Sequence, residues 1–206
     1  MSTVAPAPHA IHKDYEGAKL GMWLFLFTEI LLFGGLFILY SAYWAKYTID
    51  FHNSGRMLNV FIGVTNTFIL LTSSMTVAIS ISAMQKGNRK LSMMCLAVTI
   101  LFGIAFLVNK YIEWSGEISE GRYPNSPHML TRPHGEQLFF GLYYSMTGLH
   151  GLHVLAGITV LSFMLCFVAR NKISSAEYTK LENAGLYWHL VDVIWIFLLP
   201  LFYLSA

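Results

Sequence analysis

The sequence predicts an all-α integral membrane bundle of five transmembrane helices, and three observations support this fold class. Of the 206 residues, 55% are apolar and 12% are charged, whereas an average soluble domain has about 25% charged residues. Five apolar runs are long enough to cross a bilayer, which takes about 20 residues of helix. The connections between these runs are too short for a separate soluble domain. We therefore expect one membrane domain over residues 20–206, preceded by a mobile tail over residues 1–19.

The predicted spans cover residues 20–43, 58–84, 91–114, 138–168 and 184–204. The first span has a single charged residue, Glu29. The second is rich in Thr, Ser and Asn, and such side chains can form hydrogen bonds between packed helices. Gly87 and Asn88 mark a tight turn after it, so the second and third spans should form an antiparallel hairpin.

Prolines and glycines predict the features of the third connection and the fourth span. The connection over residues 115–137 is the longest and contains three prolines, which predicts an irregular cap on one surface of the bundle. The fourth span contains four glycines that predict close approach of neighbouring helices: Gly141, Gly148, Gly151 and Gly157.

Basic residues predict the orientation, because cytoplasmic connections carry an excess of Lys and Arg. The N-terminal tail, the second connection and the fourth connection share one side and hold eight basic residues, against four on the opposite side. The eight are Lys13, Lys19, Lys86, Arg89, Lys90, Arg170, Lys172 and Lys180, and the four are Lys46, Arg56, Arg122 and Arg132. This pattern places the N-terminus in the cytoplasm and the C-terminus in the periplasm. No basic face suited to nucleic acid is visible, so no nucleic-acid partner is expected.

Glu29 is the first residue that could carry chemistry. At about 1.5 Å of helix rise per residue it lies roughly 15 Å from either water phase. A charged side chain at this depth costs about 3 kcal/mol on insertion scales, so it usually faces protein, carries a partner or stays protonated. From its position alone, Glu29 could act as a proton carrier, as a ligand or as a buried structural acid.

Lys110 and Glu113 form a second candidate group. They lie three residues apart near the outer end of the third span, which places them on one helix face. The spacing predicts a structural ion pair.

Histidines form the third candidate group. His150 and His153 lie three apart in the fourth span, and His189 and Asp192 lie three apart in the fifth, so each pair shares a helix face. Such residues on facing helices could build a metal or haem site, as in an independent electron-transfer protein. The alternative is hydrogen bonding from His to Asp between helices. We favour the alternative because neither H-E-x-x-H nor E-x-x-H occurs in the sequence.

Several stretches resemble subunit III of the haem-copper terminal oxidases, in the order of that family. They are TEILLF at residues 28–33, NTFILL at 66–71, GNRK at 87–90, GLHGLHV at 148–154 and WHLVDVIW at 188–195, the last preceded by Glu182. The two histidine-containing stretches are specific, and the resemblance extends from about residue 20 to residue 203.

The resemblance implies a non-catalytic subunit of a respiratory terminal oxidase in the bacterial cytoplasmic membrane. Members of this family hold no haem or copper and pack against subunit I, which contains the site of oxygen reduction to water and the proton-pumping pathways. Subunit II and a small subunit IV are further expected partners, and phospholipid is a possible bound group. Two alternatives stay open: a related accessory protein of nitric oxide reduction, and the independent haem or metal protein described above.

The resemblance also implies roles for individual residues. His150, His153, His189, Asp192 and Glu182 match positions in a metal-free subunit, so they are read as a structural polar network. Glu29 matches a membrane carboxylate that reacts with a hydrophobic carbodiimide, a reaction that requires the protonated acid. Because a lipid-like setting disfavours the ionised form, we expect Glu29 to be neutral at pH 7, in a proton-related or structural role. The chain lacks the first two helices of the longer, seven-span family members.

Overall fold

The computed structural model describes residues 15–174 and 177–204. Most of the predicted tail, residues 1–14, lies outside the described residues. The described ranges contain helices and no β-strand: α1 (Tyr15–Lys46), α2 (Thr48–Gly55), α3 (Val60–Gln85), α4 (Arg89–Ser119), α5 (Pro127–Leu130), α6 (His134–Ala169) and α7 (Thr179–Leu199), followed by a π-helical turn (Pro200–Leu204). Five helices, α1, α3, α4, α6 and α7 with its π turn, are long and apolar enough to span a membrane. The predicted all-α, five-span fold class is confirmed.

The membrane helices extend beyond the predicted apolar runs. α1 begins at Tyr15, inside the segment predicted as a tail, and α4 continues to Ser119, inside the predicted cap. Backbone hydrogen bonds within a helix do not depend on side-chain polarity, so a helix can continue past the apolar stretch into the polar interface. Within residues 115–137, α5 is a further helical segment, and its N-cap is the side chain of Ser126.

Four helices form the core of the bundle. α3 packs against α4, α4 against α6, α6 against α7 and α7 against α3, while α1 packs on the outside against α6 and α7. Trp188 lies in the centre, fully buried, and its indole N–H donates to the Ser73 hydroxyl at 2.9 Å. Trp195 donates in the same way to Thr67 at 3.0 Å. These two bonds join α7 to the hydroxyl-rich second span.

A short helix between the first two spans, α2, was not predicted. Its Phe51 is fully buried, and the ring packs edge-on against Tyr40 and Phe139 at centroid distances of 5.3 and 5.5 Å. α2 has eight residues and one buried aromatic side chain, which is too short a pattern to show helical periodicity, so this element could not be recognised in the sequence.

The hairpin of α3 and α4 turns at the predicted residues. Gly87 has a φ of +74°, a conformation that costs glycine little, and the Asn88 side chain caps α4 by accepting from the Leu91 N–H at 3.2 Å. The next residue, Arg89, donates to the carbonyl of Val168 at 2.7 Å. The hairpin is thereby tied to the C-terminal end of α6.

The glycines of the fourth span differ in their surroundings. A Cβ added to Gly157 would lie 2.8 Å from the Trp188 ring, and one added to Gly148 would lie 3.1 Å from Trp114. Added to Gly141 or Gly151, it would meet nothing within 4 Å in the described part of the chain. The prediction of close helix approach is therefore confirmed at Gly157 and Gly148. It is wrong at Gly141 and Gly151 within this chain, because those positions face open space.

Alanine substitutions in this span test the packing. Gly157→Ala should destabilise the bundle by about 1–3 kcal/mol, because the rigid Trp188 ring cannot move away. Gly151→Ala, on the same helix, should not destabilise the bundle, and the helix preference for Ala over Gly should stabilise it by up to about 1 kcal/mol. Thermal unfolding of the two purified variants beside the wild type measures both effects, and equal shifts would contradict the packing described here.

Candidate functional site

Glu29 forms a half-buried pair with a histidine from another span. Its Oε2 lies 2.8 Å from Nε2 of His153, which joins α1 to α6 near the middle of both helices, and the two side chains are only 14% and 15% exposed. The Phe33 ring packs edge-on against the imidazole at 5.3 Å. Glu29 thus faces protein and has a polar partner.

The hydrogen bonds of His153 fix how many protons the pair holds. Nδ1 lies 2.8 Å from the carbonyl oxygen of Leu149, and a carbonyl can only accept, so Nδ1 carries a hydrogen. The contact between Nε2 and Glu29 then needs one more proton, on either the carboxyl or the imidazole. Both arrangements have zero net charge, which lowers the cost of placing the pair in a membrane. The site can hold one proton between Oε2 of Glu29 and Nε2 of His153, which lie 2.8 Å apart.

The pair lies beside a groove between α1, α6 and α7. The Tyr187 hydroxyl donates to the backbone carbonyl of His153 at 3.1 Å, and the Tyr187 side chain also lines the groove. The groove has a volume of about 450 Å³, and its walls are largely apolar. Lys180 and Asn183 are its polar lining residues, at the N-terminal end of α7. The remaining lining residues are Met22, Phe25, Ala156, Val160, Met164 and Ala184.

The other predicted histidines and acids lie at separate places. His150 is fully buried, with its ring 5.5 Å from Phe106 and 5.3 Å from Trp195. Neither ring nitrogen of His150 has a hydrogen-bond partner among the described residues. Glu182 forms an ion pair with Lys19 at 3.1 Å, between α7 and α1.

The predicted pair on α7 makes contact with α3. Nδ1 of His189 lies 2.6 Å from the Ser74 hydroxyl. Asp192 is 2% exposed, and neither of its carboxylate oxygens has a hydrogen-bond partner within residues 15–174 and 177–204. Of the five residues of the expected polar network, His153, His189 and Glu182 form polar contacts with other helices. Within the described residues, hydrogen bonds do not join the five into one cluster.

Lys110 and Glu113 form a buried ion pair at 2.9 Å, with both residues at most 6% exposed. The Lys110 ammonium also donates to the hydroxyls of Tyr143 and Tyr203, each at 3.0 Å. Those hydroxyls donate in turn to Glu113, at 2.8 and 2.6 Å. This closed arrangement satisfies all three ammonium hydrogens and joins α4, α6 and the π turn.

Among the residues that the structure describes, no group of three or more His, Cys, Asp or Glu side chains is placed to hold a metal ion. Glu29 and His153 can hold a proton between them. The other polar contacts described above join helices.

A family model described as cytochrome c oxidase subunit III matches residues 7–206. The chain belongs to this family. The resemblance seen in the short motifs is thereby confirmed, and the protein is an accessory subunit of a haem-copper terminal oxidase with several membrane-spanning helices.

Subunit III relatives come from oxidases of two kinds. The chain is 31% identical to cytochrome c oxidase subunit 3 of Alkalihalophilus pseudofirmus, covering 96% of this chain and 92% of that protein. It is 29% identical to cytochrome bo(3) ubiquinol oxidase subunit 3 of Pseudomonas putida, over 94% of this chain and 88% of that one. Cytochrome c oxidase subunit 3 of Mammuthus primigenius is 32% identical, over 89% of this chain and 67% of the longer mammoth protein.

Sequence reasoning missed two partners of the buried ion pair. Tyr143 and Tyr203 were not singled out, although both bond to Lys110 and Glu113. One signal was present for Tyr143: in antiparallel spans joined by residues 115–137, residues at similar distances from the connection lie at similar depth. Lys110 and Tyr143 lie at similar distances from this connection and are therefore expected at a similar depth.

Proposed function

We propose that this subunit III supports a partner, subunit I, that contains the haem-copper centre, in a complex that also includes subunit II and a small subunit IV. The complex reduces oxygen to water and couples the reaction to proton pumping. The observation that carries this proposal is the family match over residues 7–206. Haem and copper are assigned to the partner subunits.

Location and orientation belong to the same proposal. We place the subunit in the bacterial cytoplasmic membrane as a multi-pass protein, with its N-terminus in the cytoplasm. Bacterial relatives of similar length and the eight-to-four distribution of basic residues support this arrangement.

The role proposed for Glu29 and His153 is to hold α1 on the bundle. α1 lies outside the four-helix core and has few buried residues in its apolar stretch. Its polar ties include the Glu29–His153 pair, the bond from the Tyr40 hydroxyl to the Leu201 carbonyl at 2.5 Å and the ion pair of Lys19. The Glu29–His153 contact contains a proton that either group can carry, so we assign both a proton-related role and a structural role to this site.

The groove beside this pair is proposed to hold a phospholipid. An acyl chain fits its apolar walls, and the Lys180 ammonium fits an anionic headgroup at its polar end. Bound lipid would fill the space that separates α1 from α6 and α7 on that side.

Co-purification tests the proposed assembly. With an affinity tag on this chain and a mild detergent, we expect the recovered complex to contain haem and copper, measured by optical spectroscopy and metal analysis. Recovery of a partner with non-haem iron and no copper would contradict the proposal and favour the accessory protein of nitric oxide reduction.

A further inference from the structure

Tyr187 on α7 contacts both helices that carry the Glu29–His153 pair. On the α6 side, its hydroxyl donates to the backbone carbonyl of His153 itself at 3.1 Å. On the α1 side, its ring packs against the ring of Phe25, with the two centroids 5.9 Å apart. The Tyr187 side chain is buried. One residue of a third helix therefore touches both of the helices that must be aligned for the pair to form.

The contact with α1 lies one helical turn from Glu29. Phe25 and Glu29 are four residues apart, which places them on the same face of α1. Phe33, four residues beyond Glu29, packs edge-on against the His153 ring at 5.3 Å. The Glu29 carboxyl thus lies between two aromatic contacts, one to α7 and one to α6. A shift of α1 along its axis or a rotation about it would disturb both contacts.

The contact with α6 bears on the direction of the His153 imidazole. Nδ1 lies 2.8 Å from the Leu149 carbonyl on the same helix, so the ring turns together with α6. The position of Nε2 relative to α1 then depends on how α6 is rotated about its own axis. A carbonyl oxygen has two lone pairs, so the His153 carbonyl can accept from Tyr187 in addition to a bond within the helix. The Tyr187 hydroxyl restrains this rotation at residue 153.

The bland explanation of the Tyr187 hydrogen bond is that a buried phenol needs an acceptor, which a buried tyrosine generally finds. That need does not select the acceptor. In this chain the acceptor belongs to His153, and the aromatic neighbour of Tyr187 on α1 lies one turn from Glu29. Both contacts of Tyr187 therefore fall on the Glu29–His153 pair.

We propose that Tyr187 is a positioning residue for the Glu29–His153 pair. It orients α6 through the His153 carbonyl and α1 through Phe25, so that Oε2 of Glu29 and Nε2 of His153 meet. The proposal rests on the role proposed above for that pair and adds a residue that controls its geometry. Without the hydroxyl, the ring of residue 187 still fills its place, but α6 is free to turn and the pair separates more often.

Carbodiimide labelling of Glu29 in the intact oxidase complex tests the proposal. Dicyclohexylcarbodiimide reacts with a protonated carboxyl, and a Glu29 separated from His153 in apolar surroundings stays protonated and becomes open to the reagent. Tyr187→Phe should raise the labelling rate about twofold to tenfold, the effect of losing one hydrogen bond that favours the paired arrangement. Mass spectrometry of the peptide that contains Glu29 measures the rate.

Tyr144→Phe is the matched control. Tyr144 lies on α6, and its hydroxyl has no hydrogen-bond partner among the described residues. Removing this hydroxyl should leave the labelling rate of Glu29 unchanged.

A His153→Leu background separates positioning from a general loosening of the bundle. His153→Leu abolishes the pair and should raise the labelling rate by itself, and Tyr187→Phe should then add no further increase. An unchanged rate with Tyr187→Phe alone, or an equal increase in both backgrounds, would overturn the proposal. If His153→Leu itself leaves the rate unchanged, it is the proposed role of the Glu29–His153 pair that fails.

Discussion

Replacing Lys110 by methionine is expected to destabilise the bundle by about 3–5 kcal/mol, the usual cost of removing one partner from a buried ion pair. The substitution leaves the Glu113 carboxylate buried, and it removes the donor that fixes the hydroxyls of Tyr143 and Tyr203. Because Tyr203 belongs to the π turn, the end of α7 should loosen first. Denaturant titration in detergent, followed by tryptophan fluorescence, measures the change.

Two further variants test whether the loss of stability comes from the unpaired buried charge. Lys19→Met removes one partner of the ion pair with Glu182, whose side chains are 47% and 30% exposed, and should cost no more than about 1 kcal/mol. The double variant Lys110→Met, Glu113→Leu should recover part of the loss, because no unpaired charge stays buried. Equal effects of Lys110→Met and Lys19→Met would contradict the structural role given to the buried pair.

The resemblance to subunit III implies that this subunit helps to keep subunit I active through turnover. Glu29→Leu should release α1 from α6, and we therefore expect it to shorten the active lifetime of the oxidase. Whichever group carries the shared proton, the substitution leaves Nε2 of His153 without a partner, which costs about 1–3 kcal/mol, so the population with α1 detached should rise by roughly fivefold or more. Oxygen uptake followed to inactivation, counted as turnovers per complex, measures the lifetime.

Glu29→Gln separates the two roles of this site. The Leu149 carbonyl keeps a hydrogen on Nδ1 of His153, so Nε2 can accept from the glutamine amide and the tie to α1 persists without a transferable proton. We expect a lifetime close to that of the wild type. If proton pumping falls while the lifetime is kept, the proton-related role is established; wild-type lifetime with Glu29→Leu would contradict the holding role.

The span pattern was predictable because bilayer thickness sets the length of an apolar helix whatever the packing. Depth was predictable for the same reason, so Glu29 and Lys110 were both recognised as residues needing a partner. For Lys110 the partner was local, three residues along the helix, and spacing alone identified Glu113.

Apart from the matching depth of Lys110 and Tyr143, partners on other helices were not predictable. His150 and His153 are both placed on the fourth span, but the rotation of α6 against α1 brings only His153 to Glu29 and leaves His150 among aromatic rings. The same rotation decides which glycines meet a tryptophan. The rotation of a helix about its axis depends on side-chain packing across the whole bundle. The order of polar and apolar residues does not predict this rotation when nearly every helix face is apolar.

The most direct test of the central claim is to remove this chain from the purified oxidase and measure haem, copper and initial oxygen uptake in both fractions. We predict that haem, copper and initial oxygen uptake stay with the remaining subunits, while the separated chain shows no haem absorbance. Retention of stoichiometric haem by the separated chain would contradict a non-catalytic, haem-free subunit. His150, His153 and His189 would then be the candidate ligands.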